Sequence, residues 1–122
     1  MFTNLYVKNK RLALGLTQKE VADLAGVSHT IVSNLEDPVK NLQVTELYKK
    51  AVINTLNERV HKLDKLNFYR VKLVENALCA TEPNVRDGER DLYLASVIQN
   101  ASKLQLEIIN ERRRNYAQEV ED

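Results

Sequence analysis

Between residues 28 and 34 the chain reads Ser-His-Thr-Ile-Val-Ser-Asn. Most of these side chains carry hydrogen-bond donors or acceptors, and none is long or permanently charged. At helical spacing Ile31 and Leu35 fall on one side, with Ser28, His29, Thr30, Ser33 and Asn34 on the other. Such groups suit the edges of bases in a DNA major groove. Asn pairs with adenine through two bonds, Thr touches a thymine methyl, and Ser meets either kind of base. The plainer reading is the polar face of a surface helix.

Other candidates for chemistry are weaker. Arg112-Arg113-Arg114 can meet a DNA backbone or an acidic partner. More often such a run is a solvated helix face, balanced here by Glu111 and the closing E-V-E-D. His61 stands in E-R-V-H-K-L-D-K with no second His or Cys near it, so no metal site is expected. Cys79, the single cysteine, lies in an apolar helical context and reads as packing. The aromatic residues are scattered rather than grouped as stacking platforms. No phosphate loop, nucleophile elbow or Ser-His-Asp set is present, so neither a catalytic residue nor a cofactor is expected.

The 122 residues suffice for one domain, or for a small domain with an extension. Gly (3) and Pro (2) are scarce, which favours helices over a fold of many tight turns. One cysteine excludes an internal disulfide framework and fits a reducing cytosol. No apolar run approaches the ~20 residues of a membrane span, and no leader is visible. The net charge of +1 is not that of a general nucleic-acid coat. Residues 1–60 hold 8 Lys/Arg and 6 Asp/Glu (+2), whereas residues 61–122 hold 10 and 11 (−1). DNA binding by a local patch is compatible with that balance.

The elements that position residues 28–34 are legible. A first helix is expected over Asn4 to Leu14, with Leu5, Val7, Leu12 and Leu14 packing and Gly15 ending it. T-Q-K-E at 17–20 is a capping box, so a second helix runs from Gln18 to Ala25 with Val21, Ala22 and Leu24 inward. Gly26 supplies the turn. Val27 plugs the gap between helices, and Ser28 caps a third helix that reaches about Leu35. It buries Ile31, Leu35 and, in part, Val32. Asp37-Pro38 stops it. Residues 44 to 79 read as helical almost without a break, with a bend placed near Asn54 or Asn57 if they form two helices. T-E-P-N-V-R-D-G-E-R at 81–90 is the turn of the second half. A last helix follows from about Glu89 to Gln118, with Leu92, Ala95, Ile98, Ala101, Leu104 or Gln105, and Ile108 as its stripe.

K-R-L-A-L-G-L-T-Q-K-E-V-A-D-L-A-G-V-S-H-T-I-V-S-N-L-E, residues 10–36, resembles the helix-turn-helix core of the Cro/CI (XRE) regulators of phages and bacteria. The resemblance covers the first ~40 residues and the start of the helix that begins near Val44. It implies a lambda-repressor-like helical bundle over residues 1–55; the resemblance does not reach the rest, where the helical period and the turn at 81–90 predict a long antiparallel helical hairpin over 56–122, so that the expected fold is all-α. The resemblance implies base contacts from Ser28, His29, Thr30, Ser33 and Asn34. Many relatives have Gln where this chain has His29, which can donate to guanine. It also implies a phosphate contact from Gln18 and a structural ion pair between Arg11 and Glu36. The Gly usual after the closing Glu is replaced by D-P-V-K-N, so that loop is rebuilt. Lys40 and Asn41 are its phosphate candidates, with Lys8 and Lys10 behind them.

The expected protein is then a cytoplasmic, phage- or mobile-element-encoded repressor. It binds a double-stranded operator as a homodimer formed through its C-terminal helices. The alternative is a protein-binding module, such as an antitoxin, antirepressor or phage-encoded inhibitor, whose C-terminal helices hold a protein partner. No membrane is involved in either.

Overall fold

The structure is a computed structural model that describes residues 3–121, with side chains described over 3–119. The side chains of E-V-E-D beyond Glu119 therefore lie outside the described residues. The order is α1 (Thr3–Ala13), α2 (Gln18–Ala25), α3 (His29–Glu36), a 3-10 turn (Lys40–Gln43), α4 (Glu46–His61), α5 (Lys65–Ala80) and α6 (Asp87–Glu121). Among the described residues there is no strand. The chain forms two compact units, Met1–Lys62 and Leu63–Asp122. The boundary falls beyond the expected residue 55 because α4 runs on to His61 and buries Leu56 in the first core.

The first unit is built by its helix ends. Gly15, at φ 72°, lets Leu16 N–H return to Arg11 O at 3.1 Å, which closes α1. Thr17 and Glu20 form the capping box in both directions, each bond at 3.1 Å. Gly26, at φ 71°, ends α2 in the left-handed region that a Cβ disfavours. Ser28 Oγ then accepts from Ile31 N–H and starts α3.

Helices α1 to α4 close over Val7, Val21, Ala22, Val32, Leu35, Val52 and Leu56. Across this core Tyr6 Oη donates to Asn57 Oδ1 at 2.9 Å. Several residues expected to face inward do not. Leu12 and Leu24 are exposed, and Leu47 at the start of α4 is 76% exposed. On α3 it is Val32 that is wholly buried, with Ile31 only half-buried. Each of these helices offers more apolar positions than the core has room for, and packing selects the row nearest the neighbouring axes.

The break between α4 and α5 lies at residues 62–64, not at Asn54 or Asn57. Asp64 Oδ1 accepts from Asn67 N–H at 2.8 Å and caps α5. In the second unit α5 and α6 pack side by side and antiparallel, with Tyr69 beneath Lys103 and Ala80 bonded to Arg90. The intervening turn is closed by Arg90, whose guanidinium donates to the carbonyls of Ala80, Glu82 and Val85 at 3.0, 3.1 and 3.3 Å. Cys79 is buried, as its apolar context suggested.

The expected α6 stripe holds at Leu104 and Ile108 and fails at Leu92, Ala95, Ile98 and Ala101. Tyr93, Val97, Leu104 and Ile108 are half-buried on the packed side, while Leu92 and Ile98 are 70% and 68% exposed. The helix carries two apolar rows about a third of a turn apart, and α5 covers only one.

Candidate nucleic-acid interface

Helix α3 is held from beneath and left open above. Val32 and Leu35 are wholly buried, whereas Ser28, His29, Thr30 and Ser33 are exposed and Asn34 is half-buried. An eight-residue helix, about 12 Å long, thus presents a continuous polar surface. Ser28 already accepts a capping bond, so its hydroxyl retains its proton to donate outward.

The underside of this surface is one hydrogen-bonded chain. Arg11 Nε donates to Glu36 Oε2 at 2.6 Å, Arg11 Nη2 to Glu36 Oε1 at 2.8 Å, and Arg11 Nη1 to Leu16 O at 2.8 Å. The two side chains are 12% and 5% exposed. A planar fork on a carboxylate gives two bonds and a fixed direction, which ties the end of α1 to the end of α3. Gln18 Nε2 donates to the same Glu36 Oε1 at 3.2 Å. That sets the amide of Gln18, whose Oε1 lies 3.2 Å from His29 Nε2. An amide oxygen only accepts, so His29 Nε2 carries the hydrogen and donates. The ring of His29 is oriented by a residue at the start of α2, and Gln18 is committed to two protein partners.

The loop after α3 replaces the missing Gly with an Asp clasp. Asp37 leaves the helix in extended conformation before Pro38, and its Oδ1 accepts from Val39 N–H and Lys40 N–H, each at 2.8 Å. Those two amides, that of Lys40 foremost, hold the Asp37 carboxyl below the usual carboxylate range. The clasp is therefore fully present above the ordinary carboxylate pKa and is lost as pH falls through the lowered value. The signal for this turn lies in the spacing D-P-V-K, where an Asp side chain reaches the amides two and three residues on.

The basic and amide candidates separate into two groups. Lys8 and Lys40 are exposed and available to phosphates. Lys10 is buried at 4% exposure with Nζ 4.8 Å from the Tyr6 ring centre, and Asn41 is buried with Nδ2 donating to Asp37 O at 2.6 Å. These two belong to the scaffold and do not reach a phosphate from this position. Arg112, Arg113 and Arg114 are exposed on α6, in the second unit. Among the described residues no group of His, Cys, Asp and Glu is placed to hold a metal, and no helix is long and apolar enough to cross a membrane.

Residues 7–51 match a protein-family model described as Helix-turn-helix. The matched segment runs from Val7 in α1 to Ala51 in α4 and contains the network and the surface described above. The match falls on the segment over which the sequence resembles the Cro/CI regulators. Neither the curated proteins nor the solved structures yield a match to this chain.

Proposed function

We propose, from the helix-turn-helix over residues 7–51, that this protein is a sequence-specific transcriptional regulator without catalytic activity or cofactor. It acts in the bacterial cytosol as a repressor encoded by a phage or other mobile element. The observation that carries the reading is the exposed polar row of α3 seated on buried Val32 and Leu35. Thr30, Ser33 and Asn34 read base edges from this row, with Ser28 and His29 at its leading end. Lys8 and Lys40 hold the flanking phosphates. Two copies bind a pseudo-palindromic operator, one half-site each, and occlude RNA polymerase.

The test is a gel shift of the purified protein on its own upstream DNA over a salt series, beside a Thr30→Ala/Asn34→Ala variant. Wild-type binding weakens with salt, and the variant loses about ten- to a hundredfold in specific affinity while keeping non-specific binding. Equal binding by both proteins removes α3 from recognition. The second reading is a protein-binding module of the antitoxin or inhibitor class, favoured by the apolar side chains exposed on α6. The two are compatible, since a module that holds a partner can also repress its own promoter.

A further inference from the structure

The outer face of α6 has an unusual arrangement of charge. Between Leu92 and Asn110 the charged residues are Lys103 and Glu107. Both are directed to α5: Lys103 Nζ lies 5.7 Å from the Tyr69 ring centre, and Glu107 lines a cleft with Asp64 and Lys65. The outward surface of this stretch exposes Leu92, Leu94, Ile98, Leu106 and Ile109, with the small residues Ala101 and Ser102 at its middle. One end is acidic, with Asp87, Glu89 and Asp91 exposed. The intervening Arg90 bonds to the α5–α6 turn and approaches Asp87 at 3.6 Å. The other end is basic, with Arg112, Arg113 and Arg114 exposed.

We propose that this face is the homodimer interface, formed by two α6 helices packed antiparallel about a two-fold axis between Ala101 and Ser102. The proposal deepens the reading of a dimeric regulator and rests on it for the partner's identity as a second copy. That axis sets Asp91 against Arg112 of the second copy, Leu94 against Ile109 and Ile98 against Gln105, positions that share one face of the helix. Asp91 meets Arg112 at both ends, Leu94 meets Ile109 inside each of these pairs, and Ile98 lies over the aliphatic stem of Gln105, along about 30 Å of helix. Small residues at the axis let the backbones approach. A parallel pair would instead place each arginine run against its own copy, with like charges opposed. An uncovered apolar row of this length is uncommon on a monomer.

Sedimentation equilibrium on the full chain reads the result directly. The wild type is expected at about twice 14.0 kDa. Reversing the basic member (Arg112→Glu) or the acidic member (Asp91→Lys) weakens self-association at least about tenfold. A one-to-one mixture of the two variants regains it as a heterodimer. Circular dichroism confirms that each variant remains helical. Cysteine pairing gives the direction: a Leu94→Cys chain mixed with an Ile109→Cys chain forms a disulfide, while Leu94→Cys alone does not. A wild type that stays monomeric, dimers indifferent to both reversals, or crosslinking by Leu94→Cys alone each overturns the proposal. Dimers of the expected kind that bind no DNA leave it standing and remove the regulator reading. DNA binding by a monomer does the opposite.

Discussion

Gln18 and His29, eleven positions apart, share a hydrogen bond whose polarity is fixed by a third residue. Because Gln18 Nε2 donates to Glu36 Oε1, Gln18 Oε1 is the group left to face His29 Nε2. In the tautomer that carries the hydrogen on Nε2, Nδ1 is an acceptor. This reverses the simpler expectation that His29 donates to guanine. The expected contact is an exocyclic amino group, adenine N6 or cytosine N4. With an operator selected from a random pool, at pH 8, removing that amino group lowers affinity about three- to tenfold, the worth of one hydrogen bond. A 7-deaza purine, which lacks the N7 acceptor, binds as before. Sensitivity to 7-deazaguanine instead would show His29 donating. Fluorescence anisotropy distinguishes the two.

The Arg11–Glu36 pair is a stability device, and its two members are not equal to their replacements. Among the described residues, Arg11→Ala leaves a carboxylate at 5% exposure with only Gln18 as a remaining side-chain partner. The expected loss in urea unfolding is about 3–5 kcal/mol. Arg11→Lys also destabilises, since an ammonium cannot serve both Glu36 oxygens and Leu16 O in the same plane. A loss below about 1 kcal/mol for Arg11→Ala would show that the site relaxes to admit water.

Gly26 has φ 71° and open space where a Cβ would stand, with no atom within 4 Å. A substitution there meets backbone strain and nothing else. Gly26→Ala is therefore expected to cost about 1 kcal/mol, and Gly26→Asn less, because Asn tolerates the left-handed region. Thermal unfolding of the pair measures it. Equal loss for Ala and Asn would indicate a steric cause.

How much of this was readable in the sequence follows the range of the interactions. The Thr17–Glu20 box, the Gly26 turn and the Ser28 cap are set within three or four residues, and all stand where T-Q-K-E, A-G-V and S-H-T placed them. Asp64 is equally local, yet D-K-L-N lies inside an apolar period that continues through it, and no Gly or Pro marks the stop. The row of α6 that meets α5 could not be chosen from periodicity, since Leu92 and Ile98 alternate with Tyr93 and Val97 as equally good candidates. Lys10 and Asn41 looked like surface groups because their burial depends on Tyr6 and on the rebuilt loop. The Gln18–His29 bond needs Glu36 in place before it has a direction.

That distinction among the phosphate candidates can be measured as a salt slope. Each lysine that neutralises a phosphate adds about one to the slope of log affinity against log salt. Lys8→Ala and Lys40→Ala, at exposed positions, are each expected to reduce the slope by about one and leave the melting temperature nearly unchanged. Asn41→Ala is expected to do the reverse. It removes the 2.6 Å bond to Asp37 O, costs about 1–2 kcal/mol, and leaves the slope alone. Lys10→Ala resembles Asn41→Ala, because at 4% exposure its ammonium is spent on the protein side of the surface. A slope that falls for Lys10→Ala and not for Lys40→Ala would mean that α1, rather than the loop after α3, lies along the DNA backbone.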